Sequence, residues 1–279
     1  TLMNKLIGEK IAITSQKPQT TRNKIMSILN TQNAQIIFWD TPGIHKAQHK
    51  LGDYMVKTAL ETLDEVDVVL FVVDATQKRG AGEEYIYKIL REIKHPVILV
   101  INKIDKLANK DEILKTITNY TKDFNFVAVV PVSALKDNDF QDLTQEIEKH
   151  LPIGPNYFDE DVLTDQPERV IAAEIIREKI LRLTQDEVPH SVAVEILSFK
   201  ERDNGIIYIS GNIYTERDSQ KGILIGAKGS MLKRIGALAR EDLEKLLATK
   251  VFLELWVKVR SDWRNNSKAL KELGYKNGV

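Results

Sequence analysis

The chain has 279 residues and no cysteine. That absence excludes disulfides, thiolate catalysis and cysteine-built zinc sites, and it fits a reducing compartment. No apolar run approaches the roughly 18 to 20 residues that a spanning helix needs. The first residues also lack a basic stretch followed by an apolar one, so no secretory leader is indicated and a cytoplasmic protein is expected. Net charge is missing as well, with 40 Lys/Arg against 40 Asp/Glu. A uniformly neutral chain would argue against a polyanion ligand, but the neutrality is uneven. Residues 168–279 carry 20 basic and 16 acidic side chains, and within 217–240 six basic residues (Arg217, Lys221, Lys228, Lys233, Arg234 and Arg240) meet one acid, Asp218. Such a cluster marks either a polyanion site or a solvated helix face.

What is present suits a soluble globular protein. At 43% hydrophobic and 29% charged residues the chain can bury real cores, and its length fits two domains. Short runs rich in Val, Ile and Phe at 35–39, 68–73, 97–101 and 126–132 read as buried strands. Amphipathic stretches at 51–63, 83–93 and 111–120 lie between them. This alternation predicts a largely parallel sheet covered by helices, with ligands beyond the carboxyl ends of its strands.

Three of the four runs lead into a motif. Asp40-Thr41-Pro42-Gly43 puts a carboxylate at a strand tip, where one Asp suffices to reach Mg²⁺ through water, and Gly43 exposes an N–H to a terminal phosphate. The same tetrapeptide is also a good plain turn. Asn102-Lys103-Ile104-Asp105 is more specific. A carboxylate at Asp105 accepts from both the ring N–H and the exocyclic amine of guanine, and paired bonds of this kind reject a base that lacks the donors. The stem of Lys103 can cover the base and Asn102 can tie neighbouring loops. Ser133-Ala134, 31 residues beyond Asn102, supplies backbone N–H groups for the guanine carbonyl. Together these motifs predict a GTP/GDP pocket.

The Gly-rich loop ending in Gly-Lys-Ser/Thr that should precede them and hold the phosphates is absent. The chain opens instead with a helix-like stretch at Thr1, which reads as a fragment of a longer protein. Upstream of the first motif, Thr20 and Thr21 lie in a polar stretch where a hydroxyl can close onto Mg²⁺ as a switch loop does. After Gly43 come Ile44 and His45, so the water-orienting glutamine of Ras-type enzymes has an apolar residue in its place. No catalytic base is assigned. Slow hydrolysis, stimulated by a partner or a cation, is expected, and His45 reads most simply as a surface histidine.

The prolines at 152, 155 and 167 with the acidic stretch between them read as a linker, giving a first domain at 1–153, a linker at 154–167 and a second domain at 168–279. In the second domain a helix at 168–183 precedes alternating segments at 190–199 and 206–215, joined around Asn204-Gly205 as a hairpin. Ile225-Gly226-Ala227-Lys228-Gly229 then leads into an amphipathic helix and a final strand at 251–259. A Gly-x-x-Gly loop between two helices lets backbone approach a sugar-phosphate strand, the signature of KH domains. Lys221, Lys228, Lys233 and Arg234 supply charge around it. Trp256 and Trp263 can stack bases, although Trp256 reads more simply as a core or strand residue.

With these motifs the chain resembles the Era family of bacterial ribosome-assembly GTPases. The resemblance rests on the stretches at 19–22, 40–45, 102–105, 174–179, 226–229 and 253–259, which span nearly its whole length. It implies an α/β P-loop-type GTPase domain, mostly parallel and here without its first strand, followed by an α+β type II KH domain. It further implies GTP/GDP and Mg²⁺ binding, with Thr21 and Asp40 toward the metal and Thr20 and Thr21 in the switch. The partners it implies are the 3′ end of small-subunit (16S) rRNA and the 30S subunit during maturation. A monomer is expected, cytoplasmic, with some peripheral association at the inner face of the cell membrane. Two alternatives stay open: an RNA-binding scaffold without nucleotide, and a translation or tRNA-related GTPase with another RNA target.

Overall fold

The computed structural model describes residues 1–15, 17–137 and 139–276. The elements up to residue 150 are α1 (Leu2–Ile7), β1 (Ile25–Asn30), β2 (Gln35–Asp40), α2 (Lys50–Leu63), β3 (Val69–Asp74), α3 (Ala81–Leu90), β4 (Val97–Asn102), α4 (Lys110–Thr121), β5 (Ala128–Pro131) and α5 (Gln141–Glu148). Then come α6 (Glu168–Leu183), α7 (Val188–Ser191), β6 (Ala193–Glu201), β7 (Ile207–Thr215), α8 (Asp218–Ile225), α9 (Ser230–Leu246), β8 (Val251–Val259) and α10 (Ser267–Glu272). Among the described residues no helix is long and apolar enough to cross a membrane.

These elements form two compact units: residues 1–10, 24–46 and 55–165, and residues 11–23, 47–54 and 166–279. In the first, β3, β4 and β5 are parallel with β4 in the centre. A central strand covered on both faces should be continuously apolar, and every residue from Val97 to Ile101 is buried. Alternation divides the two cores. Val97, Leu99 and Ile101 pack with Phe71, Tyr87 and Tyr120 toward α3 and α4, while Ile98 and Val100 pack with Ile36, Leu143 and Ile147 toward α5.

Two features depart from the sequence expectation. The strand at 35–40 does not join the parallel set; it pairs antiparallel with β1, a strand the sequence reading missed. The turn from Thr31 to Ala34, closed by a 2.9 Å backbone bond, is too short for a parallel crossover. The stretch expected as a linker is also packed, up to residue 165. Leu163 O accepts from Ile28 N, Thr164 Oγ1 donates to Met26 O, and the Gln35 side chain bonds the backbone of Tyr157 and Phe158. It covers backbone groups that β1 would otherwise leave open at an edge.

In the second unit β6 and β7 form an antiparallel hairpin, and β8 pairs parallel to β7 after the crossover through α8 and α9. The core joins Ile176 and Ile180 of α6, Ile209 and Ile213 of β7, Leu224 of α8, and Ile235, Ala239 and Leu243 of α9. Three consecutive charged residues of α6, Arg177, Glu178 and Lys179, are buried here. Buried charge is tolerated only when paired and hydrogen-bonded. Glu178 accepts from Thr14 N at 2.8 Å, Thr14 Oγ1, Lys179 and Arg182, and Lys179 also pairs with Asp242. Arg177 pairs with Glu174 and donates to Thr20 O, while buried Arg22 donates to Val192 O at 2.6 Å and to His190 O. Residues 11–23, placed by chain order in a first domain, are thus held by long-range polar contacts within this second unit.

Candidate nucleotide and nucleic-acid sites

In the first unit the loops after β4 and β5 interlock. Asn102 ends β4, and Lys103 adopts the left-handed conformation at φ 64° before a short 3₁₀ turn, Ile104–Lys106. The Asn102 Oδ1 accepts from Lys103 N at 2.7 Å and from Ala134 N at 3.0 Å, so this one amide ties both loops. Ser133 Oγ donates to Asp105 Oδ1 at 2.5 Å and fixes that carboxylate. Asp105 is exposed, and among the described residues no protein donor bonds its second oxygen.

Two acids that the sequence reading missed complete the arrangement. Asp74 ends β3 and stands in register with Asn102, and it pairs with Lys103 Nζ at 2.5 Å. Burial by itself would raise the pKa of Asp74, but hydrogen bonds from Lys103 and Thr76 outweigh it and hold the carboxyl below its ordinary value. Asp137 Oδ2 accepts from Ser133 N at 2.5 Å. The expectation for Ser133-Ala134 therefore needs correcting. Both backbone N–H groups already have protein acceptors, so a guanine carbonyl would have to share or displace one.

Asp40 stands at the carboxyl end of β2, and Thr41, Pro42, Gly43 and Ile44 follow without regular structure. His45 Nδ1 lies 2.8 Å from Gly43 O, to which it donates. Thr20 and Thr21 belong to the second unit, and Thr20 Oγ1 donates to Lys17 O. Among the described residues no group of three or more His, Asp or Glu side chains forms a metal cage. A single strand-tip carboxylate is still the donor set Mg²⁺ uses when phosphate oxygens and water complete its shell.

The second site is the Gly-x-x-Gly loop. Gly226 caps α8 at φ 70°, ψ 176°, Ala227 and Lys228 form a tight turn with Lys228 at φ 52°, and Gly229 N donates back to Gly226 O. The reversal is closed by a backbone that only glycine accepts at its first position. Ile225 packs against the core beneath it. Beside the loop lies a cavity of about 440 Å³ lined by Gly229, by Leu232, Lys233, Gly236, Ala237 and Arg240 of α9, and by Leu253 and Leu255 of β8. Lys233 is thus in the groove. Lys221, Lys228 and Arg234 are not among its lining residues, and Lys228 and Arg234 are exposed. Arg240, Leu253 and Leu255 were not assigned from sequence, although the spacing of 232, 236 and 240 along one helix face was a usable signal. The two tryptophans also separate. Trp263 is fully buried and donates to Ser191 O at 2.8 Å, whereas Trp256 is a strand residue but not a core one, at 45% exposure.

Comparison with known proteins gives a family to each of the two sites. A family described as 50S ribosome-binding GTPase matches residues 1–103, and a KH domain family matches residues 187–264. The GTPase Era of Ruminiclostridium cellulolyticum is 53% identical over 276 residues, covering 99% of this chain and 92% of that protein. The GTPase Era of Geobacter metallireducens is 55% identical over 276 residues with the same coverage. A crystal structure of Era in complex with MgGDPNP and nucleotides 1506–1542 of 16S ribosomal RNA is similar at TM-score 0.95 and 43% identity, covering 98% of this chain and 93% of that one. A point variant of Aquifex aeolicus Era bound to GDP·AlF4⁻ is similar at TM-score 0.94 and 43% identity, with the same coverage.

Proposed function

The chain belongs to the Era family of GTPases, and on that premise we propose that it is a cytoplasmic RNA-binding switch of small-subunit maturation. In this reading the loops after β2, β4 and β5 hold GTP or GDP with Mg²⁺, and the KH groove holds the 3′ end of 16S rRNA. The observation that carries it is the interlock of Asn102, Asp105 and Ser133, which presents one fixed carboxylate oxygen beyond the carboxyl ends of parallel strands. Asp105 accepts from the N1–H and N2–H of guanine. The stem of Lys103, steadied by Asp74, covers the base face. The Asp40 carboxylate would hold the metal through water. Magnesium bound there neutralises the charge that develops on the β- and γ-phosphate oxygens. No side chain is assigned as the base for the attacking water, and hydrolysis is slow. On the RNA side, Gly226 and Gly229 admit the sugar-phosphate backbone, and Lys233 and Arg240 line the groove with positive charge.

The test is nucleotide titration of the full-length protein and its Asp105→Asn variant. An amide donates where the carboxylate accepted, so preference should move from GDP toward xanthosine diphosphate by about one to two orders of magnitude, the cost of about 1–3 kcal/mol for a hydrogen-bonding group left unpaired. Unchanged selectivity would remove the guanine assignment. Gly226→Asp should abolish binding of a 16S 3′-end oligonucleotide while nucleotide affinity stays intact.

A further inference from the structure

The sheet of the second unit has its core face under α6, α8 and α9. Register places a different set of residues on the other face: Tyr208, Ser210, Asn212 and Tyr214 of β7, Phe252, Glu254, Trp256 and Lys258 of β8, and Glu195, Ser198 and Lys200 of β6. An uncovered face should be polar, yet Phe252 is 48% exposed, Trp256 45%, and Leu197, at the bulge of β6, 51%. The Tyr208 and Phe252 rings stack at 6.0 Å, and the Arg202 guanidinium lies 4.5 and 4.9 Å from their centroids. Arg260 stands 6.0 Å from the ring of Tyr214. The face is therefore a row of aromatic surfaces with guanidinium groups beside it. Asn212, in register with Trp256, is 2% exposed, and its Oδ1 has no donor among the described residues.

We propose that this face is a second binding surface for single-stranded RNA, continuous with the KH groove around the free edge of β8. The proposal rests on the RNA reading of that groove. Three observations select nucleic acid over protein. A protein interface buries a charge-depleted core, whereas here Arg202 sits on the rings themselves and the row is flanked by charge of both signs, Lys200 and Lys258 with Glu195 and Glu254, and Arg260 paired with Glu272. Ring faces with guanidinium partners are the stacking platform that bases of any sequence can extend. The third is continuity. β8 is an edge strand whose Leu253 and Leu255 line the groove while Phe252 and Trp256 lie on its reverse. A strand leaving the groove at that edge needs only to cross the width of β8 to reach Trp256.

The experiment is fluorescence anisotropy on the full-length protein with two labelled single-stranded RNAs of 16S 3′-end sequence. One, of about five nucleotides, fills the loop clamp of about four; the other has about twelve. The longer RNA should bind more tightly. Trp256→Ala combined with Phe252→Ala should cut its affinity about tenfold, the order expected for lost base stacking, with the short RNA within twofold and Trp256→Phe restoring most of the loss. An unchanged urea midpoint shows that the fold is intact. The proposal is overturned if the wild-type protein binds both lengths equally, or if the double variant loses both alike. Unchanged affinity for the longer RNA, together with self-association in sedimentation that the double variant abolishes, would overturn it in favour of a protein occupant. If the wild-type protein bound neither RNA, the groove reading itself would fail and this proposal with it.

Discussion

Gly226 and Gly229 bracket one loop but are needed for different reasons, so replacing each with alanine separates them. At φ 70°, ψ 176°, Gly226 occupies a region that is essentially closed to other residues, and a Cβ there would stand 2.8 Å from Met231 Cβ and 2.9 Å from Met231 N. Gly229 is an ordinary left-handed cap at φ 79°, ψ 11°, and a Cβ there meets nothing within 4 Å. Gly229→Ala therefore costs only the left-handed penalty, about 1 kcal/mol. Gly226→Ala adds backbone strain of about 1–3 kcal/mol to overpacking of similar size against backbone that cannot swing away, so about 3–4 kcal/mol in all. At about 1.4 kcal/mol per decade, the two variants should differ at least 20-fold in how often the loop opens. Amide hydrogen exchange in the first turn of α9 measures that opening, urea unfolding measures the global effect, and RNA anisotropy the functional one. Equal destabilisation by the two alanines, or a larger effect at Gly229, would refute the reasoning.

Other expectations follow from the buried polar groups. Glu178→Gln leaves an amide facing donors from Thr14, Lys179 and Arg182, and it should destabilise the second unit by about 2–4 kcal/mol in urea unfolding. Adding Lys179→Met should recover part of that loss; strictly additive effects would show that the two charges do not depend on each other. Asn102→Ala frees the N–H groups of both Lys103 and Ala134 and should weaken GDP binding about tenfold. His190 and His49 have pKa values lowered chiefly by burial, helped by Arg22 near His190 and Arg264 near both. Since the unfolded chain takes up protons first, their contribution is complete above about pH 6.5 and is lost as pH falls below it. The urea midpoint should drop between pH 7 and 5, and His190→Gln should flatten that slope; a midpoint that rises on acidification would contradict the assignment.

Legibility in the sequence followed the range of the interactions involved. α6 and β8 run over the residues that periodicity marks, and β4 was readable as a buried strand because its five apolar residues are rich in Val and Ile and too few for a helix. β1 was not, because Ile25–Asn30 follows a polar stretch and is defined by its partner across a turn. The motif residues of β2, β4 and β5 stand at strand ends as expected. Asp74 and Asp137, which steady Lys103 and Ser133, could not be chosen from among 40 acids, because the register of β3 against β4 and the curl of the loop at 133–137 select them. Arg22 is a sharper case. Its main acceptor lies 170 residues away, and nothing local distinguishes it from a solvated arginine.

The two tryptophans show where pattern stops. The parity of β8 was open to inspection: Val251, Leu253, Leu255 and Val257 share one face, so Trp256 had to lie on the other with Phe252. Of the two readings, core or strand residue, the core one required both faces of the sheet to be covered. Coverage depends on where α6, α8 and α9 pack, and in a three-stranded sheet with all its core helices on one face, an aromatic of the wrong parity is left in solvent. Leaving two large rings about half exposed forfeits about half of the 1.5–3 kcal/mol that full burial of such a side chain is worth. A base or partner side chain laid on the rings would recover it.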